Sequence, residues 1–372
     1  MFPIIQTHFI MKKIIFACLV LSFMQYPILS QDMDFESYNP PSTLVVPEHI
    51  VTKAKYPFVD VHNHQSTHGR DLSGLVGEMN DLNMKVMVNL SGKRGGKDGL
   101  LDGLKNVREN HPGRFIIFTN VDFNDIDQPN WSENAAKILE EDVRAGANGL
   151  KIFKSLGLSV RDKNGKRVAI DDPRIDAVWA KCGELGIPVL IHAADPKPFW
   201  SPHDDQNERW LELKLRSGRK RSDTDPAPWE TIIAEQHHVF RKHPNTKFIN
   251  AHLGWFGNNL DKLGELMEIY PNMYSEIGAV IADLGRQPRR AKEFLTKYQD
   301  RVMFGKDSYN KEEYYTYFRV LETSDEYFPY YKKYHAYWKM YGLDLSDEVL
   351  RKIYYENALN VIPNIDKSLF PK

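Results

Sequence analysis

From residue 58 onward the chain alternates between short runs of apolar and β-branched residues and longer amphipathic stretches. Phe58-Val59-Asp60-Val61-His62 is the first run, and a helical stretch over about 72–84 follows it. The pattern predicts a second strand at 85–90, a glycine- and lysine-rich loop at 92–99, and a helix at 100–110. A third strand at 115–121 leads to a helix at 132–145, with Ser132 as its expected cap. Strands four to eight are expected at 149–153, 188–191, 247–251, 273–276 and 301–304. Helices at 172–185, 230–242, 260–270 and 289–298 fall among them. Two long connections, 155–171 and 193–228, interrupt the rhythm. Eight strand–helix units in strict alternation predict an α/β fold, a (β/α)8 TIM barrel rather than two open sheets.

The flanks read differently. Lys12 and Lys13 precede the apolar run 14–21, and a polar acidic stretch begins at Gln31, so residues 1–30 predict an export signal. Met11 is an alternative start, because residues 1–10 add nothing to the signal. Lipoprotein processing at Cys18 is the rival, but the apolar run before it is short and Phe16 fits it poorly. The mature protein is expected to be exported, periplasmic or extracellular. Residues 31–57, with Pro40, Pro41, Pro47 and Pro57, form an irregular extension, 58–310 the barrel, and 311–372 a helical segment packed against it.

In such a barrel the functional groups gather at the C-terminal ends of the strands. His62 and His64 follow strand one and, two apart, point the same way. Lys151 lies on strand four, His192 ends strand five, His252 ends strand six and Asp307 follows strand eight. A lone histidine at a strand end is more often a hydrogen-bonded structural residue, and an aspartate there is often a helix cap. The same residue types at the same end of strand after strand point to a metal site. Imidazole and carboxylate without thiolate suit zinc, with manganese or iron(II) as alternatives, and leave a position for water. Asp307 then binds the ion and handles the proton of the nucleophilic water, while His252 polarises the substrate or protonates the leaving group. Asp60, one layer deeper, supports the site.

Composition narrows the partners. A net charge of −1 offers no case for nucleic acid or an anionic membrane. The basic run 214–221 lacks interleaved aromatics and reads as a solvated loop. With the signal removed Cys182 is the only cysteine, which excludes an internal disulfide and a cysteine metal cluster. The expected partner is a small-molecule substrate. No membrane association is expected once the signal is gone, and a homo-oligomer is left open.

Asp-Val-His-Asn-His at 60–64, Ile-His-Ala at 191–193, Ala-His-Leu-Gly at 251–254 and Phe-Gly-Lys-Asp at 304–307 together resemble the amidohydrolase superfamily. They resemble most the amidohydrolase-related (amidohydrolase 2) branch, and Ile353–Leu359 is similar to the Asn-Ala helix with which that branch commonly ends. The resemblance implies a distorted barrel with one divalent ion held by His62, His64, His192 and Asp307, and a catalytic or substrate-polarising His252. It also implies a less favoured form in which a carbamylated Lys151 bridges a second ion. One departure is Lys306, where the branch usually has Thr or Ser; a lysine there could alter the charge at the mouth or reach a substrate carboxylate.

The resemblance implies hydrolysis of an amide, ester or lactone as the leading activity. Non-oxidative decarboxylation of an aromatic or unsaturated acid is the alternative, and a catalytically inactive ligand-binding barrel is the second. The long connections carry Arg161, Lys163, Arg167, Phe199, Trp200, His203, Asn207, Glu208, Arg209 and Trp210. These either select substrate or pin the loops.

Overall fold

Parallel strands covered on both faces must be apolar almost throughout, and that is how this chain is built. The computed structural model describes residues 33, 34, 36–222, 227–335 and 337–371, so the expected signal at 1–30 lies outside the described residues. Residues 1–43 form one unit and 44–372 another, and the second holds the whole strand–helix alternation. All six residues of β1 (Phe58–Asn63) are buried. Next come α1 (Ser73–Leu82), β2 (Met84–Asn89), α2 (Gly96–Asn110), β3 (Phe115–Ile117, continued by Thr119–Asn120), α3 (Trp131–Ala145), β4 (Leu150–Ile152) and α4 (Asp176–Glu184). The second half comprises β5 (Val189–Ile191), α5 (Trp229–Lys242), β6 (Phe248–Asn250), α6 (Leu260–Ile269), β7 (Met273–Glu276), α7 (Pro288–Lys297), β8 (Val302–Met303) and α8 (Lys311–Glu322).

Every neighbouring pair from β1 to β8 runs parallel. The third strand changes partner midway. Its first half pairs with β2 and its second with β4, with Phe118 donating to Asn89 O and Thr119 to Gly149 O at the switch. The ring closes between the last strand and the first. Val61 N donates to Phe304 O (3.0 Å), Asp307 N donates to His62 O (2.7 Å), and Asn63 bridges Asp307 in parallel sense. The architecture is the expected eight-stranded α/β barrel.

The closing seam is packed with aromatic rings. Phe58 sits 4.8 Å from Phe304, 5.5 Å from Phe318 and 5.9 Å from Tyr354, measured between centroids. All four are fully buried, each contributing about 1.5–3 kcal/mol by leaving water. Tyr354 lies on a wider turn, Lys352–Glu356, enclosed by the closing helices Asp347–Arg351 and Asn357–Val361. Asn357 Nδ2 donates to Gln299 O (2.6 Å) and Val302 O (2.7 Å), which ties this end to β8.

Two local expectations change. Ser132 is not a cap: α3 starts at Trp131, and Asn130 flanks it without a side-chain bond to the helix. The segment after α8 is not helical throughout. Residues 323–346 fold as irregular chain around an antiparallel pair, β9 (Phe328–Pro329) and β10 (Lys339–Met340). Pro329 offers no N–H to a helix, and Tyr327 and Tyr337 take left-handed backbone at φ +55°.

Candidate metal centre

The strand order brings His62 and His64 of the first strand against Asp307 beyond the last. His62 Nε2 lies 3.3 Å from His64 Nε2, and Asp307 Oδ1 lies 3.4 Å from the first and 3.6 Å from the second. A triangle with these edges has a point about 2.0 Å from all three atoms, the length of a Zn–N or Zn–O bond. The other imidazole nitrogens are engaged elsewhere. His62 Nδ1 meets Glu276 Oε1 at 2.9 Å and His64 Nδ1 meets Ser91 Oγ at 2.9 Å. Donation from His62 Nδ1 to a carboxylate leaves Nε2 as a lone pair. Lone pairs and a carboxylate oxygen facing one another repel, and a cation between them relieves that. The donor set fits a divalent ion.

Electrostatics hold these groups in ligand form. Burial drives His62 well below the ordinary imidazole range, and the neighbouring Lys151 charge pushes the same way. The same causes lower His64 to about 4. Burial works to raise Asp307, but His62, His252, His64 and Lys151 outweigh it and hold the carboxyl at about 2. At neutral pH the imidazoles are uncharged and the carboxylate is ionised, as metal ligation requires.

Glu276, at the end of β7, was not singled out from the sequence. It is fully buried. Its Oε1 accepts from His62 Nδ1 and from His252 N (2.7 Å), and its Oε2 accepts from Gly278 N (2.5 Å). Room for it depends on glycine: a Cβ at Gly305 would stand 2.2 Å from Glu276 Oε2, and one at Gly278 would stand 2.6 Å from it. The available signal was a carboxylate at the C-terminal end of a barrel strand, the rule that picked out the histidines.

His252 lies beside this set, its ring 4.8 Å from that of His62. His252 Nδ1 meets Gly278 O at 2.7 Å, so Nε2 is the free nitrogen; it is buried and has no partner among the described residues. Four successive residues, His252, Leu253, Gly254 and Trp255, have φ between +54° and +62°, a left-handed turn. Each non-glycine residue held so costs about 1–2 kcal/mol. Ala194, Ala279 and Asp307 also have positive φ, so strain collects at the ends of β5 to β8.

His192 packs its ring against His252, with centroids 4.5 Å apart. Its atoms join neither of the two sets whose ligand atoms converge within 4.8 Å, His62/His64/Asp307 and His62/His252/Glu276. Its Nε2 is buried as well, with no partner among the described residues. Lys151 is fully buried beneath the site, with Nζ 3.5 Å from His62 Nε2, and burial lowers it to about 8. Lys154 instead turns to Asp195 (2.5 Å). Asp60 supports the site from below: Oδ1 accepts from His62 N and Lys306 N, and Oδ2 from Asn63 Nδ2 and Tyr314 Oη.

Other expected contacts lie elsewhere. Lys306 turns away from the mouth, its buried ammonium bonded to Glu313 and to Ser308 O. Most loop residues pin the loops. Arg167 pairs with Glu235, Arg209 is buried against Glu212 and His335, Trp200 Nε1 donates to Ala227 O, and His203 stacks on Trp210. Phe153 does face the mouth, 38% exposed, with its ring 5.6 Å from that of His64.

The amidohydrolase family profile matches residues 102–363. A Staphylococcus aureus protein described as an amidohydrolase superposes with a TM-score of 0.52 at 16% identity, over 82% of this chain and 99% of that one. A dihydroxybenzoic acid decarboxylase from Polaromonas sp. JS666, solved with manganese and the inhibitor 2-nitroresorcinol, gives 0.54 at 13% identity, over 82% and 96%. At these identities the likeness is one of fold. No curated protein matches the sequence. The profile spans most of the barrel and its closing helices, and the chain belongs to the amidohydrolase family.

Proposed function

We propose that the protein is a metal-dependent hydrolase that cleaves an amide, ester or lactone bond of a small molecule. The observation that carries this reading is the triangle of His62 Nε2, His64 Nε2 and Asp307 Oδ1 beside the unpartnered Nε2 of His252. In this reading His62, His64 and Asp307 hold one divalent ion, zinc first, with His192 as the fourth protein ligand. Such an ion lowers the pKa of a coordinated water to about 7 and polarises a substrate oxygen.

The remaining work falls to the side chains. Asp307, ionised and with a 37% exposed side chain, takes the proton of the attacking water. His252 begins as an acceptor, because its Nδ1 is committed to Gly278 O. It delivers to the leaving group the proton that Asp307 first takes from the water and passes on. Glu276 acts as a positioning residue, fixing the ring of His62 and the backbone of His252 together. We retain a single ion, since a second would need Lys151 carbamylated as the bridge, and here its side chain ends in a free amino group 3.5 Å from His62 Nε2. The reading includes export, supported by the Lys-Lys and apolar run at 12–21.

A second reading, non-oxidative decarboxylation of an aromatic or unsaturated acid, is favoured by Phe153, whose exposed ring offers a platform for a flat substrate. The fold is also shared with a dihydroxybenzoic acid decarboxylase. Metal-loaded protein assayed against ester, amide and lactone panels, and for CO2 release from aromatic and enoic acids, separates the two. Hydrolysis without CO2 release supports the first, and CO2 release without hydrolysis selects the second. Tight ligand binding with no turnover, unchanged by His252→Asn, marks a binding barrel and overturns both.

A further inference from the structure

The hairpin segment at 323–346 carries a cation that no described residue neutralises. Lys332 is half-buried; its carbonyl accepts from His335 N (3.0 Å), but its ammonium has no hydrogen bond or ion pair with any described residue. Its Nζ lies 5.7 Å from the centre of the Tyr331 ring. The Lys306 Nζ lies 5.9 Å from the same ring, so two ammonium groups flank one tyrosine. Their fates differ. Lys306 is neutralised by Glu313, whereas Lys332 is not neutralised by any described residue.

The negative charges whose field reaches Lys332 are Glu313, Asp307 and Glu212. Each is committed elsewhere. Glu313 bonds Lys306, Asp307 faces His62 and His64, and Glu212 takes Arg209 (3.1 Å) and Arg219 (2.5 Å). Withdrawing an ammonium from water without a partner is costly, and an anion arriving at the site removes that cost.

The hairpin is also tied to the catalytic groups. Tyr331 packs on Tyr330 (ring centroids 4.5 Å apart) and lies within electrostatic reach of Tyr317, whose Oη accepts from Ala279 N (3.0 Å). Ala279 follows Gly278, whose carbonyl holds His252. A ligand group at Lys332 therefore lies near the residues that orient His252.

We propose that Lys332 forms a subsite for an anionic group of the substrate, a carboxylate or comparable oxyanion, and that the substrate is a small organic anion whose apolar part faces Phe153. The proposal rests on the catalytic reading above for the position of the reacting bond. The anion subsite itself is read separately.

The test uses the full chain, metal-loaded, with benzoate and its neutral isostere benzamide as probes, titrated calorimetrically. Wild type is expected to bind benzoate more tightly than benzamide. Lys332→Met is expected to weaken benzoate about tenfold and leave benzamide unchanged, while Lys332→Arg restores benzoate binding. Unchanged benzoate affinity in Lys332→Met overturns the proposal. So does an equal loss of both probes, or no benzoate binding by wild type up to about 10 mM. Should Lys332→Met fail to fold, the fold-preserving Lys332→Gln stands in its place with the same expectations. Metal content, measured on the same samples and on a His62/His64 double alanine variant, separates the two claims. Retention of the ion by the double variant removes the catalytic reading and leaves the subsite standing, and indifference of benzoate to Lys332 does the reverse.

Discussion

Glu276→Gln perturbs the centre at one atom. The change keeps shape and volume and removes one charge and one acceptor. The carboxylate accepts three hydrogen bonds: Oε1 from His62 Nδ1 at 2.9 Å and His252 N at 2.7 Å, Oε2 from Gly278 N at 2.5 Å. A glutamine can keep its oxygen at the first position and satisfy two of them. Its amide then confronts the Gly278 N–H, donor against donor, at a place where neither meets water. A buried donor so stranded costs about 1–3 kcal/mol of stability. The reverse orientation is worse, because the amide would face two donors.

The effect on the ion follows a separate route. Losing the anionic partner at His62 Nδ1 weakens the preference for the tautomer with a free Nε2 and lowers the basicity of the ring. Changes of this kind reduce metal affinity about 10–100-fold, or about 1.4–2.7 kcal/mol. The assay is competition with a chromophoric chelator, alongside thermal unfolding of the metal-free protein. A variant that binds the ion as tightly as wild type and melts at the same temperature would refute the role given to Glu276.

Asp307→Asn is expected to lose the ion and at least about 100-fold in activity while keeping the fold. Asparagine tolerates φ +82° as well as aspartate does, so the melting temperature of the metal-free protein should hardly move. Gly305→Ala drives a methyl to within 2.2 Å of Glu276 Oε2 and 3.1 Å of the His62 Cβ, and is expected to cost about 1–3 kcal/mol and the ion together. Denaturant titration and metal analysis check both losses. His237 supplies a pH test away from the site. Burial, with Lys262 and Arg241 nearby, lowers it to about 4, below the ordinary 6.5 of the unfolded chain. Between those values the unfolded state binds the extra proton. Its contribution is therefore present above about pH 6.5 and is lost as pH falls towards about 4, by up to roughly 3 kcal/mol. His237→Phe, which keeps the stack on Tyr270 and Phe256, should narrow the stability difference between pH 7.5 and pH 4.5 by that amount. An identical acid limb in variant and wild type contradicts it.

What the sequence revealed and what it hid have physical causes. A strand buried on both faces reads as an apolar run, and a polar residue at its end stands out, so His62, His192 and His252 were legible one strand at a time. The His62–His64 pair followed from the two-residue alternation of a strand. Glu276 ends the run Met273-Tyr274-Ser275, which has little apolar lead to mark it, and its partners are 214 and 24 residues away. The left-handed turn at 252–255 contains a single glycine, so three of its residues announce nothing about their backbone. Arg209 and Trp210 read equally as substrate contacts or as loop packing, because charge and aromaticity serve packing as readily as recognition. Lys306, next to Asp307 in sequence, points to Glu313 across the Tyr314 ring, a partner seven residues on that no strand-end rule picks out. Lys332 was unreadable for the converse reason. Its distinction is what its neighbours have already bound, which no local pattern records.

The central claim is that two imidazoles from the first strand and a carboxylate beyond the last hold one divalent ion. Metal analysis of the purified full chain against its His62/His64 double alanine variant tests it most directly. The account predicts about one ion per chain in the wild type and none in the variant, with the fold of both intact by circular dichroism. An ion retained in full by the double variant contradicts it.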